Sequence, residues 1–298
     1  MKPSHFTKEP ATVEAQLNKL EERGCVVEDR AYARSVLEKI NYYRLANYFA
    51  VYLDDRKKRY KEGTSFNKAL RLYDFDRRLR GQLLIYLEEI EISMRAIISN
   101  FHAYKYGALG YLNESHFAHN HNHVRFRAKI DRLQEKNSHL NFVNHYRSKH
   151  DGAFPLWVMM ELFSFGMLSF FFDDMHQSDK KEIAERHFGG GTSSGGQFGA
   201  RHIESWLSSL AELRNQCAHY CRLYANEFKP SPKPLEDAPY KMAGKLFDYI
   251  YVIRLLYIKR EGGESNLALH LRTLIDEYSD VAELGVMGFP EEWEEVLA

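Results

Sequence analysis

Residues 66–101 read FNKALRLYDFDRRLRGQLLIYLEEIEISMRAIISNF. Apolar side chains recur at Phe66, Leu70, Tyr73, Leu83, Leu87, Ile90, Met94, Ile97 and Phe101, mostly three or four residues apart. That spacing lines one face of an α-helix, whereas a half-buried strand alternates every second residue. The stretch predicts an amphipathic helix. It also sets the pattern by which the rest of the chain is read.

Outward from it the same period returns. Residues 13–20 and 31–40 predict a short helix pair joined through Gly24, and segments 124–133, 203–224, 240–258 and 267–278 follow the same rule. Residues 154–172 form the longest apolar run, with Glu161 in its middle. A carboxylate there would cost roughly 2.5–3.5 kcal/mol in a bilayer. The run therefore predicts a helix buried on all sides, begun by Pro155 in its first turn. Two-residue alternation is scarce; only 51–59 or 60–66 leaves room for a short hairpin. The fold class is all-α, a helical bundle. It divides into an N-terminal helical extension over 1–62, a main helical domain over 63–260 and a C-terminal helical segment over 261–298.

Near the end of the periodic segment 203–224, residues 213–224 read LRNQCAHYCRLY. Arg214 and His219 stand five residues apart, Asn215 follows the Arg, and Arg222 follows the His by three. A guanidinium grips phosphate oxygens with a planar fork, and an imidazole exchanges a proton near neutral pH. On a continuous helix of about 100° per residue, Asn215, His219 and Arg222 fall within about 60° of one another, opposite an apolar stripe of Leu210, Leu213, Cys217 and Cys221. Arg214 sits at the border and can lean across small Ala218. An Arg followed by a His after four to six intervening residues is common: Arg95/His102 and Arg132/His139 also fit, and both pairs are expected to be dispensable. A solvated polar helix face is the alternative reading of the motif.

The string Arg-Asn-x-Cys-Ala-His-x-x-Arg-Leu at 214–223 resembles the signature of the bacterial Abi-like family, the AbiD/AbiF group of phage abortive-infection proteins. Four further blocks resemble that family in the same order: NYYRLANY at 41–48, LYDFDRRLR at 72–80, the Ile-Glu-x-x-x-Arg element ending the stretch 88–95, and FPLW at 154–157 followed by Glu161 and SFGMLS at 164–169. The resemblance covers roughly residues 12–260. Tyr220 stands where the family often has a second His, and Tyr224-Ala225-Asn226 where Trp-Asn is expected. Arg214, Asn215 and His219 are intact. The resemblance implies a HEPN-type RNase domain and a role in antiviral defence. It also implies toxin-like behaviour held in check by a structured antitoxin RNA, and two motifs meeting across a two-fold axis. With one motif per chain, a homodimer with a composite site is expected.

Composition agrees with a globular protein: 298 residues, 44% hydrophobic and 28% charged. The formal net charge is zero, which argues against indiscriminate nucleic-acid binding through bulk charge. RNA would need local patches. Arg77, Arg78 and Arg80 make one candidate, and Arg56, Lys57, Lys58, Arg59 and Lys61 another; a solubilising surface is the alternative for each. Three cysteines, at 25, 217 and 221, do not make a secreted disulfide framework. Cys217 and Cys221 invite a zinc reading with His219, but His219 points about 160° away from Cys217 on a helix. The four His of residues 116–123 read as a polar entry into the next helix, with a metal site as the alternative. The Gly/Ser-rich stretch 189–199 lacks Gly-Lys-Ser/Thr and reads as a linker rather than a phosphate loop. The first eight residues have no apolar signal core, so a cytoplasmic protein off the membrane is expected.

The expected activity is that of a metal-independent endoribonuclease without a cofactor. His219 serves as general base or acid, Arg214 holds the scissile phosphate, Asn215 orients one of them, and Arg222 holds a flanking phosphate. An acid among Glu88, Glu91 and Glu161 supports the motif. The alternative is a non-catalytic HEPN-type module that binds RNA or a protein partner.

Overall fold

The computed structural model describes residues 9–54, 56, 58–188, 198–257 and 266–298. Among these, thirteen α-helices run in order: α1 (Val13–Glu22), α2 (Arg30–Leu37), α3 (Tyr42–Phe49), α4 (Phe66–Tyr106), α5 (His123–Lys136), α6 (Asn141–Lys149), α7 (Leu156–Met159), α8 (Phe165–Asp174), α9 (Gln177–Phe188), α10 (Ala200–Ala218), α11 (Leu246–Leu256), α12 (Leu267–Glu277) and α13 (Trp293–Leu297). The all-α reading holds. The one sheet among the described residues is a two-stranded hairpin of β1 (Leu53–Asp54) and β2 (Arg59–Tyr60), with Leu53 opposite Tyr60. It begins in the first of the two segments left open for one, 51–59, and ends on the first residue of the second, Tyr60. No described helix is long and apolar enough to cross a membrane.

The chain packs as two compact units, residues 1–79 with 271–284 and residues 80–270 with 285–298. The cuts fall inside α4 and α12, whereas the sequence-level division at 62/63 and 260/261 follows the connections between segments. The 41 residues of α4 are unbroken.

In the first unit, Thr12, Asp29 and Asn41 cap α1, α2 and α3 by accepting from the backbone N–H of Ala15, Tyr32 and Tyr43. Gly24 ends α1 in a left-handed conformation (φ 90°). The N–H of Gly24 and of Cys25 donate back to the carbonyls of Glu21 and Leu20, the paired bonds of a Schellman cap. Buried Tyr48 donates to Asp76 at 2.7 Å, which satisfies a carboxylate with no exposed surface.

In the second unit α8 packs against α10, and α10 against α9 and α11. The buried stripe of α10 includes Ile203, Trp206, Leu207, Leu210, Leu213 and Cys217, the period read from its sequence. Asp248, 2% exposed, starts α11 by accepting from the backbone N–H of Ala243, Gly244 and Lys245 and from Tyr240. His102 on α4 is fully buried against Tyr106, His116, Phe117 and Phe171. Neither of its ring nitrogens has a hydrogen-bond partner among the described residues.

Burial, reinforced by nearby His116, pulls the His102 imidazole down from 6.5 to about 4. Between those values the unfolded chain binds the proton first, so His102 makes stability fall as pH drops from about 6.5 toward 4, by an amount on the order of 3 kcal/mol at the limit. The His102→Leu chain should show a shallower fall in melting temperature across that window than wild type. An unchanged slope would show that His102 is not the group responsible.

Candidate functional site

The long apolar run 154–172 does not form one buried helix. It breaks into α7, a 3-10 turn at Met160–Leu162 and α8. Phe163 is extended (φ −73°, ψ 141°), and the Ser164 hydroxyl caps α8 by accepting from the Met167 N–H at 3.2 Å. An N-capping serine offers the backbone an alternative to continuing a helix, and that is the physical reason for the break. Trp157 and Phe170 are 47% and 63% exposed, so the run is not buried on all sides.

The break opens two backbone carbonyls to a side chain. Arg95 of α4 donates to the carbonyls of Met160 and Phe163, the latter at 2.5 Å, and to the Glu91 carboxylate one turn earlier. Glu91 is 8% exposed. Its second oxygen lies 3.6 Å from Nε of Arg214 on α10, an ion pair too long for a hydrogen bond. One nearly buried carboxylate thus faces two guanidinium groups. The Arg95 side chain is 15% exposed, the Arg214 side chain 38%.

These residues line an open cleft of about 890 Å³. Glu88, Glu91, Arg95, Ser99 and Asn100 of α4 form one wall, Trp157, Met160 and Glu161 another, and Arg214 and Ala218 of α10 complete it. All three acids considered from the sequence line this cleft. The one that contacts Arg214 is Glu91. Arg95, expected from the sequence to be half of a dispensable Arg/His pair, lines the cleft, as do Trp157, Ser99 and Asn100, none of which was a site candidate. The signal was present: 84, 88, 91 and 95 recur at helical spacing, one position off the apolar stripe at 83, 87, 90 and 94, and 99 follows one turn later. Its partner in that pair, His102, is a core residue.

Segment 203–224 is not helical to its end. α10 stops at Ala218, and His219 is its C-cap residue, exposed, with φ −90° and ψ 11°. Tyr220 takes a left-handed φ of 60°. The N–H of Tyr220 donates to the Cys217 carbonyl and that of Cys221 to Gln216. This is the Schellman arrangement of Gly24, built here with a tyrosine. Asn215, His219 and Arg222 therefore do not share one helical face, because the helix ends before Arg222. Asn215 is exposed on the last turn; Arg222 is half-buried beyond the reversal.

The remaining sequence candidates lie elsewhere. Arg80 is 4% exposed and donates to the Cys221 carbonyl at 3.0 Å. It holds the turn after the motif and is not presented to solvent, which corrects its reading as a phosphate ligand. Arg77 and Arg78 belong to the other unit, where they pair with Asp74 and Glu277. Lys57, in the second basic patch, lies outside the described residues, as does 189–197 of the Gly/Ser stretch. In the His cluster, Asn122 caps α5, and His121 pairs with Asp174 at 2.8 Å and with His123 at 3.2 Å. Among the described residues no three His, Cys, Asp or Glu side chains are grouped as a metal ion would require.

The two arginines of the cleft should separate in a stability measurement. Arg95→Ala strands buried carbonyls and a buried carboxylate, at a cost of about 2–3 kcal/mol. Arg214→Ala removes a longer, more exposed pair and should cost less than about 1 kcal/mol. Urea unfolding of both variants checks the order; the reverse order would mean that Arg214 is the structural member.

Compared with known proteins, the chain matches the family model described as Abi-like protein over residues 35–225 of 298. No curated protein and no solved structure matches it. The matched span covers more than half of the chain and contains the cleft together with α10 and its terminal motif, and the chain belongs to the Abi-like protein family.

Proposed function

We propose that the protein is a metal-independent endoribonuclease of HEPN type, acting in the cytoplasm in abortive infection. The observation that supports this reading most is the state of Arg214. It lines an open cleft, its one ion-pair partner among the described residues is 3.6 Å away, and its side chain is 38% exposed. A guanidinium so placed can still fork onto a phosphate. Glu91 holds it in place without neutralising its donors, and Arg95 adds positive charge behind it. His219 is exposed one residue past Ala218, which lines the same cleft.

In the proposed reaction the ribose 2′-OH attacks the adjacent phosphorus. Its proton passes to the imidazole of one His219, while Arg214 holds the non-bridging oxygens as charge develops on them. The P–O5′ bond breaks, and the leaving oxygen takes a proton from a second imidazole. The products are a 2′,3′-cyclic phosphate and a 5′-hydroxyl. Each chain carries one such histidine, so the second belongs to a second copy, and the enzyme is a homodimer with a composite site. Asn215 orients the histidine or the phosphate, and Arg222 holds a flanking phosphate. A structured RNA acting as antitoxin would restrain the activity by occupying the same site.

Purified protein should cut single-stranded RNA in EDTA and leave 2′,3′-cyclic ends, while DNA, lacking the 2′-OH, survives. Arg214→Ala and His219→Ala should each lower the rate by at least about 100-fold with the fold retained; His139→Ala should not. A strict requirement for added magnesium would sink the mechanism. Dimeric protein that binds RNA and never cuts it would favour the non-catalytic alternative.

The composite site has its own test. Mixing Arg214→Ala with His219→Ala chains should restore part of the activity that each parent lacks. Cleavage by a protein that sediments as a monomer would eliminate the two-chain site.

A further inference from the structure

Four cations stand in a row on α5. Arg125, Lys129, Arg132 and Lys136 are all exposed, and their spacing of four, three and four residues confines them to about 60° of the helix surface. The row is about 16 Å long. Among the described residues none of the four is in an ion pair. The acids of the same helix, Asp131 and Glu135, point off the row, and Glu135 is taken by Arg147 at 3.0 Å. In a chain of zero net charge, this is an uncompensated concentration of positive charge.

An aromatic ring stands beside the row. Phe170 of α8 is 63% exposed, and the Lys129 ammonium lies 5.4 Å from its ring centroid. Hollows of about 270 and 370 Å³ flank Phe170, one reaching Arg125 and the other Arg132 and Lys136. The one carboxylate lining either hollow, Asp174, is engaged by His121 at 2.8 Å.

We propose that α5 and Phe170 form a binding surface for single-stranded RNA, distinct from the Arg214 cleft. The cations would follow the phosphates, and Phe170 would stack an unpaired base, the combination by which sequence-tolerant single-strand sites work. A duplex keeps its bases stacked inside and has nothing to lay on Phe170. One exposed ring is also too little apolar surface for insertion into a bilayer. The inference rests on RNA as the ligand and not on its cleavage.

The probe is a short labelled oligouridylate carrying 2′-O-methyl groups, which 2′-OH attack cannot cut, titrated into the full chain by fluorescence anisotropy. Phe170→Ala should weaken binding about tenfold or more, and Phe170→Trp should retain it. Lys129→Gln with Arg132→Gln should weaken it and make the salt dependence shallower by about 1.4, or about 0.7 per lost contact. All these side chains are exposed, so melting temperatures should stay at the wild-type value. Wild-type affinity in both the Phe170→Ala and the double variant would overturn the proposal, as would tighter binding of duplex RNA or of phosphatidylserine vesicles. If the strand binds here but unmodified RNA is never cut, the nuclease reading fails and this surface stands. If RNA is cut while these variants bind as wild type, this surface falls and the nuclease reading stands.

Discussion

The cleft depends on one carboxylate. Glu91 is nearly buried, and an ionised group in that position is tolerated only when it is paired. It finds two guanidiniums, one from its own helix and one from α10. Arg95 in turn is held by backbone carbonyls that a continuous helix over 154–172 would have directed along its own axis. The Ser164 cap, the Phe163 break, Arg95, Glu91 and Arg214 therefore form one chain of dependence. The two arginines differ in kind: Arg95 is committed on three sides, and Arg214 is held by a long pair at the edge of open space.

The end of α10 shows a second constraint. Gly24 and Tyr220 occupy equivalent positions in two Schellman caps, but only glycine enters the left-handed region without cost. A tyrosine there stores roughly 1–3 kcal/mol of strain, which the surrounding structure must over-determine. Buried Arg80, bound to the carbonyl of the very next residue, is one such restraint. The consequence is positional. The reversal stops the helix at Ala218 and leaves His219 exposed at its tip.

Charge is arranged on the same principle of commitment. The arginines read as one phosphate patch are all occupied: Arg77 by Asp74, Arg78 by Glu277 and Arg80 by the Cys221 carbonyl. A chain with 41 basic and 41 acidic residues can still present positive charge to a ligand wherever local acids point elsewhere, as on α5. Net charge describes the whole molecule; recognition depends on which cations remain unpaired.

The sequence by itself determined the helical class, because a period of three to four apolar residues is a local property of each segment. It also determined the motif at 214–219 and, through ordered blocks across the chain, the family. It even contained the cleft-facing wall of α4, whose period lies one residue from the apolar stripe. Only the tertiary structure decided which acid meets Arg214, that Arg95 belongs to the cleft and His102 to the core, and that Arg80 is spent inside. Those outcomes depend on contacts between residues far apart in the chain, and no local period encodes them. The break at Phe163 and the reversal at Tyr220 escaped the sequence for a related reason. Apolar spacing runs through both, and one hydroxyl cap or one left-handed residue, supported from elsewhere, is enough to stop a helix that propensity would have continued.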